Sequence, residues 1–512
     1  MGSSGRFHSI LFERPADAAE LADTSSFSDL NLDQVFDAVA AGREEYDLAP
    51  LFRMPLHSVR AVRYRHEALR DLETEAVATA VAQFARQMRE MRGHLAQSAK
   101  LRHRYQKESW FLDAATTYCA AVGALAEALA AADLGSAAFR GLRDYLAEYT
   151  RSAAFTGLAA AAGQVADGLA AVRYCVNIRG GRVRVTRYQG EADYSAEVVN
   201  SFSKFARHAA KDYRVSFRGS AEMNHVEERI VELVARLFPG QFGALDEFCA
   251  RHAGYLDEVI RVFDREVQFY AGYLEFVASL QAAGLRFCYP EVSADDKQVE
   301  VGDGFDLALA AKLRPEPAGV VRNDFRLTGP ERVIVVTGPN HGGKTTFARM
   351  FGQLFYLASL GYPVPACRAR LFLPDRMFTH FEREEDLATL RGKFEDELVR
   401  IRGVLEQVTG DSVVVMNESF GSTTLADALL VGERVLDRLT GLGLLAVYVT
   451  FVDELASLNQ ACVSMVGTVP PDNPAGRTFR FVRRPADGLA YAAAIAGKYG
   501  LTYARLKERL AA

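Results

Sequence analysis

With 512 residues, 49% of them hydrophobic and 24% charged, the chain can bury large cores and has the length for roughly two to four domains. A net charge of −5 excludes a globally basic nucleic-acid binder, so any such contact must be regional. Cys119, Cys175, Cys249, Cys288, Cys367 and Cys462 lie far apart with no Cys-x-x-Cys pair, which argues against a zinc site or a disulfide framework and fits a reducing setting. Met1-Gly-Ser-Ser-Gly-Arg6 carries no apolar signal core, and no uninterrupted apolar stretch reads as a bilayer span, so a soluble, cytoplasmic protein with no membrane partner is expected.

In chain order, residues 1–28 read as a polar, irregular lead-in. Residues 29–289 read as helical, with apolar positions three and four apart over Val59–Leu72, Glu75–His94, Phe111–Ala132, Ser136–Leu158 and His225–Leu237. The exception is Tyr174 to Tyr188, where two alternating runs flank Gly180-Gly181 and predict a hairpin. Residues 290–319, rich in Pro, Gly and Asp, read as a connector. From 320 to 512, buried strands alternate with helices: Val333–Val336, Phe347–Leu360, Ser412–Met416, Leu425–Leu439 and Leu444–Thr450. The fold class is therefore α plus α/β, with long helices followed by a domain built on a mainly parallel sheet.

The run Val333-Ile-Val-Val-Thr-Gly338-Pro339-Asn340-His341-Gly342-Gly343-Lys344-Thr345-Thr346 places Gly-x-x-x-x-Gly-Lys-Thr between a strand and a helix, the context a P-loop needs. Glycines let the backbone wrap a phosphate so that amide N–H groups and the helix N-terminus face it. Lys344 would reach the β- and γ-phosphates and Thr345 would hold Mg²⁺. ATP with Mg²⁺ is the implied ligand. His341 has two readings, a contact to nucleotide or partner, or packing beside the loop.

A P-loop needs an acidic strand end to organise the metal and a base to activate water. Ser412-Val-Val-Val-Met416 ends in Asn417-Glu418. Asn417, where an aspartate is usual, keeps one carbonyl acceptor and loses the charge. Glu418 stands where a general base would be; its other reading is a solvated loop carboxylate.

These residues bring the C-terminal two-fifths of the chain into register with a family: it resembles the ATPase domain of the MutS DNA mismatch-repair proteins, an ABC-type ATPase. The resemblance starts at Asn323-Asp324 and continues through Thr337-Gly-Pro-Asn-His-Gly-Gly-Lys-Thr-Thr346. It goes on through Gly361-Tyr-Pro-Val-Pro-Ala366, Asp375-Arg-Met-Phe-Thr379, Glu385-Asp-Leu387, Asn417-Glu418 with Gly421-Ser-Thr-Thr424, and Leu489-Ala-Tyr491 to Gly500-Leu501. Tyr46-Asp-Leu-Ala-Pro50, Val59–Leu72, His225–Leu237 and Phe263 to Pro290 are similar to the family's core and lever helices. The resemblance implies a nucleotide pocket of Gly338 to Thr346 with Val320 and Val321, metal held by Thr345 and Asn417, and catalysis by Glu418 and Lys344. It also implies a head-to-tail homodimer with a C-terminal dimer-contacting segment, in which ATP controls a DNA clamp.

Departures from the family pattern narrow that implication. The mismatch-reading wedge, Gly-x-Phe-Tyr-Glu, does not occur, so the chain reads as a member without the mismatch-recognition domain. The segment that completes the partner's site in the family carries Ser-Thr; here Gly392 and Lys393 stand there. Lys393 is either a replacement cation or a solvated lysine on an acidic helix. Phe451 replaces the switch histidine. With Asn417, Gly392 and Phe451 changed together, slow or partner-stimulated conversion of ATP and water to ADP and phosphate is expected. The alternative is an ATP-gated protein-interaction module that barely hydrolyses; the order of motifs sets aside a metabolic kinase.

Basic residues concentrate from Arg60 to Lys107 and again around the hairpin, where Arg182, Arg184, Lys204 and Arg207 are the DNA candidates. Arg182 and Arg184 alternate with valines, so both fall on one strand face. Phosphate contacts from such a stripe would be sequence-independent and salt-sensitive; the plainer reading is a solvated face.

Overall fold

The computed structural model describes residues 7–17, 21–179, 182–191, 223–314, 319–383, 392–470, 476–486 and 507. Contacts divide the chain into two units, one of residues 1–8, 71–135 and 139–264, the other of 9–70, 136–138 and 265–512. Helices and mixed sheets together make this an α plus α/β protein.

In the first unit the helices Glu75–Lys100 and Arg104–Ala131 pack along each other. Arg104–Ala131 is long and apolar enough by composition to cross a bilayer, which reading the sequence for uninterrupted apolar runs missed. Its Leu112, Tyr118, Val122, Leu125 and Leu129 are buried. The stretch Ser136–Leu158, expected as one helix, is broken. Ala137–Tyr149 ends and Ala153–Ala170 starts afresh because the Ser152 hydroxyl accepts from the Phe155 amide at 3.2 Å, an N-cap bond that fixes a new helix start. Asn224 and Glu227 form a reciprocal capping box at the head of His225–Leu237. The hairpin is present as antiparallel strands Tyr174–Arg179 and Arg182–Arg187.

The second unit is built on a sheet whose elements are β1 (Val333–Thr337), α1 (Lys344–Ser359), β2 (Met377–Phe381), α2 (Lys393–Gln407), β3 (Val413–Asn417), α3 (Leu425–Leu442), β4 (Leu445–Val449), β5 (Cys462–Gly467) and β6 (Phe481–Arg483). The strand order is β6-β5-β1-β4-β3-β2, parallel except for the β5–β6 pair. All residues of β1, β3 and β4 are buried; strands covered on both faces read as continuous apolar runs, which is why these were visible in the sequence.

Residues 290–319, expected as a connector, carry strands Glu291–Ser293 and Val299–Gly304 and the helix Leu307–Lys312; residues 315–318 lie outside the described residues. The strands join Arg368–Phe372 and Asn323–Leu327 in a second sheet. Val292, Val299 and Val301 are buried between polar neighbours, so the Pro, Gly and Asp content marks turns between short strands. Over residues 7–14 the lead-in is irregular, yet Ile10, Leu11 and Phe12 are buried and residues Ser25–Leu30 are helical. Glu266 accepts from the Ser9 hydroxyl at 2.8 Å and the Ile10 amide at 2.9 Å. Fully buried Arg65 donates to the carbonyls of Leu11 at 3.1 Å and Leu360 at 2.8 Å and lies over the Phe12 and Phe269 rings. Burial holds the Arg65 pKa below its ordinary value and pushes the Glu266 carboxyl up to about 7.

Candidate functional site

β1 delivers the chain to the carboxyl edge of the sheet, where residues 338–343 turn into the N-terminus of α1. Gly343 caps α1 at φ 90°, a left-handed conformation that glycine enters without cost. Its open side faces the Phe479 ring, which a Cβ there would meet at 3.3 Å. His341, with φ 58°, takes the left-handed turn despite its side chain and is exposed.

A cavity of about 670 Å³ opens beside this loop. Its lining has a polar part, Asn340, His341, Lys344, Thr345, Thr346 and Glu418, and a largely apolar part, Phe305, Leu309, Leu313, Val321, Met350 and Phe479, with Asp306 among them. The cavity thus brings together Asn340, His341, Gly343, Lys344, Thr345, Thr346, Val321 and Glu418; Gly338, Pro339, Gly342 and Val320 are not on its wall. Polar lining at a helix N-terminus suits an anionic group, and apolar lining suits a flat hydrophobic ring.

Lys344 is buried, and its ammonium donates to the Gly338 carbonyl at 3.2 Å and to Asn340 Oδ1 at 3.1 Å. It pairs with Glu418 Oε1 at 3.6 Å. Burial lowers its pKa, opposed by the Glu418 charge. Glu418 follows β3 at φ 52°, uncommon for a non-glycine residue and of the kind that clusters at functional sites. Its amide donates to the Val449 carbonyl at 2.9 Å, which keeps the turn on the sheet edge. Asn417 Oδ1 is buried without a hydrogen-bond partner among the described residues. A buried amide oxygen left free next to Glu418 in the chain is the donor type a hard cation takes, although Asn417 is not on the wall of the cavity. Among the described residues no group of three His, Cys, Asp or Glu side chains could hold a metal.

Sequence reading missed the segment that lies over the loop. Asn323 brackets the segment before β6: its Nδ2 donates to the Phe479 carbonyl at 3.1 Å and its Oδ1 accepts from the Phe481 amide at 2.8 Å. Arg477 donates to the Asn340 carbonyl at 2.9 Å. Phe479, at φ 57° and 46% exposed, is thereby held over Gly343. The Asn323-Asp324 pair was the available signal; its partner more than a hundred and fifty residues away was not.

Gly392 is exposed at the N-cap of α2, and Lys393 pairs with Glu382 rather than entering the cavity of its own chain. Phe451 is 47% exposed. On the hairpin, Arg182 and Arg184 are exposed and line a shallow groove with Asn177 and Thr186. Lys204 and Arg207 lie outside the described residues, as do the segments 385–387 and 489–501. Several early arginines are engaged internally: Arg60 with Glu13, Arg92 with Asp264, and Arg104 with Glu108 and Asp246. The stretch from Arg60 to Lys107 is therefore less of an open cationic face than its composition suggested.

Fold and site define an α/β protein in which a glycine loop, a buried lysine and an acidic strand end meet at the carboxyl edge of a mainly parallel sheet. Residues 334–506 match the family model of MutS domain V. Over 241 residues, 46% of this chain and 25% of the relative, it is 29% identical to the DNA mismatch repair protein MutS of Granulibacter bethesdensis. Against the MutS of Psychrobacter cryohalolentis the identity is 34% over 154 residues, 30% of this chain and 14% of that protein. Against that of Chlorobium phaeovibrioides it is 25% over 283 residues, 55% of this chain and 30% of the relative. Residues 334–506 are thus similar to MutS domain V, and the chain spans between 14% and 30% of the length of these curated relatives.

Proposed function

We propose that this chain is a MutS-like ATPase that binds ATP with Mg²⁺ in the cavity beside residues 338–346 and hydrolyses it slowly. The observation that carries the reading is the convergence of Lys344, Thr345 and Glu418 on one cavity that also has apolar lining. The apolar lining receives the base, and the loop amides and the N-terminus of α1 receive the phosphates. On nucleotide binding Lys344 exchanges its loop carbonyls for phosphate oxygens. Glu418, released from Lys344, accepts a proton from the water whose oxygen attacks the γ-phosphorus; the bond to the β-γ bridging oxygen breaks, giving ADP and phosphate. Thr345 and Asn417 would hold Mg²⁺, which when bound neutralises charge on the β- and γ-phosphates.

By likeness to MutS, two copies pair head to tail with Gly392 and Lys393 facing the partner's loop, and the closed dimer acts on DNA. Arg182 and Arg184 on the hairpin supply sequence-independent phosphate contacts. Mismatch reading is not part of the proposal. Asn417 in place of an acid and the exposed Phe451 favour a second reading, an ATP-gated protein-interaction module with almost no turnover.

The test is phosphate release by the purified chain with and without duplex, mismatched and branched DNA, with Glu418→Gln as control. Turnover that responds to DNA and vanishes in the control supports the ATPase. Tight ATP binding with no turnover under any condition replaces it with the interaction module.

A further inference from the structure

Behind the turn that carries Glu418 lies a buried polar network outside the cavity. His380, in β2, is 1% exposed, as is Ser419. His380 Nδ1 lies 2.7 Å from Ser419 Oγ, and its Nε2 lies 3.2 Å from the backbone carbonyl of Glu397 in α2. A carbonyl only accepts, so Nε2 carries the proton, Nδ1 is the acceptor and the Ser419 hydroxyl donates to it. Ser419 directly follows Glu418, and Phe420, at φ 64° and wholly buried, packs with its ring 5.9 Å from the imidazole. On the other side, α2 is held to the end of β2 by Arg400, which donates to the Phe381 carbonyl at 3.0 Å, and by the Lys393–Glu382 pair. Ser422, beyond the turn, donates to the Glu397 carboxylate at 3.0 Å.

We infer that His380 is a positioning residue: it ties the left-handed turn bearing Glu418 to α2, the helix that begins at Gly392 and Lys393, so that the placement of the base follows the placement of that helix. This rests on the reading of Glu418 as the base. Glu418 and Phe420, both at positive φ with Ser419 between them, do not hold that shape by local preference; an acceptor for the Ser419 hydroxyl and a ring contact for Phe420 are what the buried imidazole supplies. The neutral form the geometry requires agrees with burial and Arg400 pushing its pKa down to about 4. The arrangement needs no proton transfer through His380 and no contact between it and nucleotide. A movement of α2, the element proposed to face a second copy, would reach Glu418 through one side chain.

The experiment compares the full chain with His380→Ala, Ser419→Ala and the double variant. It measures phosphate release across ATP concentrations and hydrogen exchange of residues 417–422, with Glu418→Gln as reference. The expected result is a loss in kcat of about tenfold or more in each single variant, with KM for ATP changed less than about twofold. The double variant is expected to be no worse than the singles, because the two act as one unit. Amide exchange rises across 418–420 while α1 is unchanged. Wild-type kcat in both single variants, with Glu418→Gln inactive, overturns the positioning role and leaves the ATPase reading intact. If the wild-type chain shows no turnover, the ATPase reading fails, and the tie is then decided by exchange alone: unchanged protection at 418–420 overturns it. A thermal melt separates unfolding of His380→Ala from the expected effect, and Ser419→Ala, which removes one oxygen, keeps the comparison decisive.

Discussion

The Lys344 ammonium stands 3.6 Å from Glu418 Oε1 while donating to the Gly338 carbonyl and Asn340 Oδ1. The cation proposed for phosphate and the base proposed for water are thus each other's partners before nucleotide enters. On the proposed reading, phosphate displaces both the carbonyls and the carboxylate, and in doing so frees Glu418. Lys344→Ala should therefore weaken ATP binding by about a hundredfold, the loss of a charge-assisted contact. Glu418→Gln should bind ATP as well as wild type or better, since Lys344 no longer has a charge to leave. Equilibrium binding of a fluorescent ATP analogue reads both; normal binding by Lys344→Ala would sink the nucleotide assignment.

Phe479 gives a second prediction. Stacking of a base on an aromatic ring contributes roughly 1–3 kcal/mol, so Phe479→Ala should weaken ATP and ADP binding equally, by about tenfold. Phe479→Tyr should leave both unchanged. A loss confined to ATP would mean that the ring acts on the γ-phosphate end instead.

The hairpin arginines can be separated from the ATP site. Arg182→Ala with Arg184→Ala should reduce DNA affinity without regard to sequence and make the slope of log affinity against log salt shallower by roughly two contacts' worth. ATP binding should be unaffected. Unchanged DNA affinity and slope would remove the hairpin from any DNA interface.

Glu266 sets a pH dependence of stability. Its folded pKa, raised by burial to about 7 from 4.5, means that its contribution is complete below the unfolded value. Between the two the unfolded chain ionises first, so this contribution declines as pH rises and levels off above about 7. His380 has the opposite sign: its folded value of about 4 lies below 6.5, so its contribution is present above 6.5 and is lost as pH falls towards 4. Urea midpoints between about pH 5 and pH 8 should fall less steeply with rising pH in Glu266→Gln than in wild type. Identical pH profiles would show that Glu266 stays ionised in the fold.

Gly361 follows α1 at φ 71°, where a Cβ would approach Arg65 Cβ to 2.8 Å. Gly361→Ala combines left-handed strain with overpacking against a buried arginine that cannot withdraw without releasing the carbonyls of Leu11 and Leu360. It should cost roughly 2–4 kcal/mol, measurable as a lowered denaturant midpoint; a change within experimental error would mean that Arg65 can repack.

Much of the second unit was legible because its signals are local. β1, the glycine loop and α1 are contiguous; β3 announces itself as an apolar run ending in Asn417-Glu418; the hairpin lies within fifteen residues of chain. What escaped depends on pairings between distant residues. The burial of Ile10 to Phe12 needs Glu266 and Arg65, and the strands of 291–304 are short and masked by turn residues. His380 reads as an ordinary strand residue until Ser419 is set against it by the parallel register of β2 and β3. Phe479 sits in an irregular segment whose position is decided by Asn323.

That last bond has a consequence for synthesis on the ribosome. Asn323 and its acceptor and donor at 479 and 481 are separated by almost the whole length of the second unit's sheet. β1, α1, β3 and β4 can all emerge and pair while the cavity still lacks Phe479. On the proposed function, a nascent chain carrying the loop and Lys344 would hold phosphates before it could hold a base, so tight discrimination between nucleotides and bare polyphosphate should be acquired only near the end of translation.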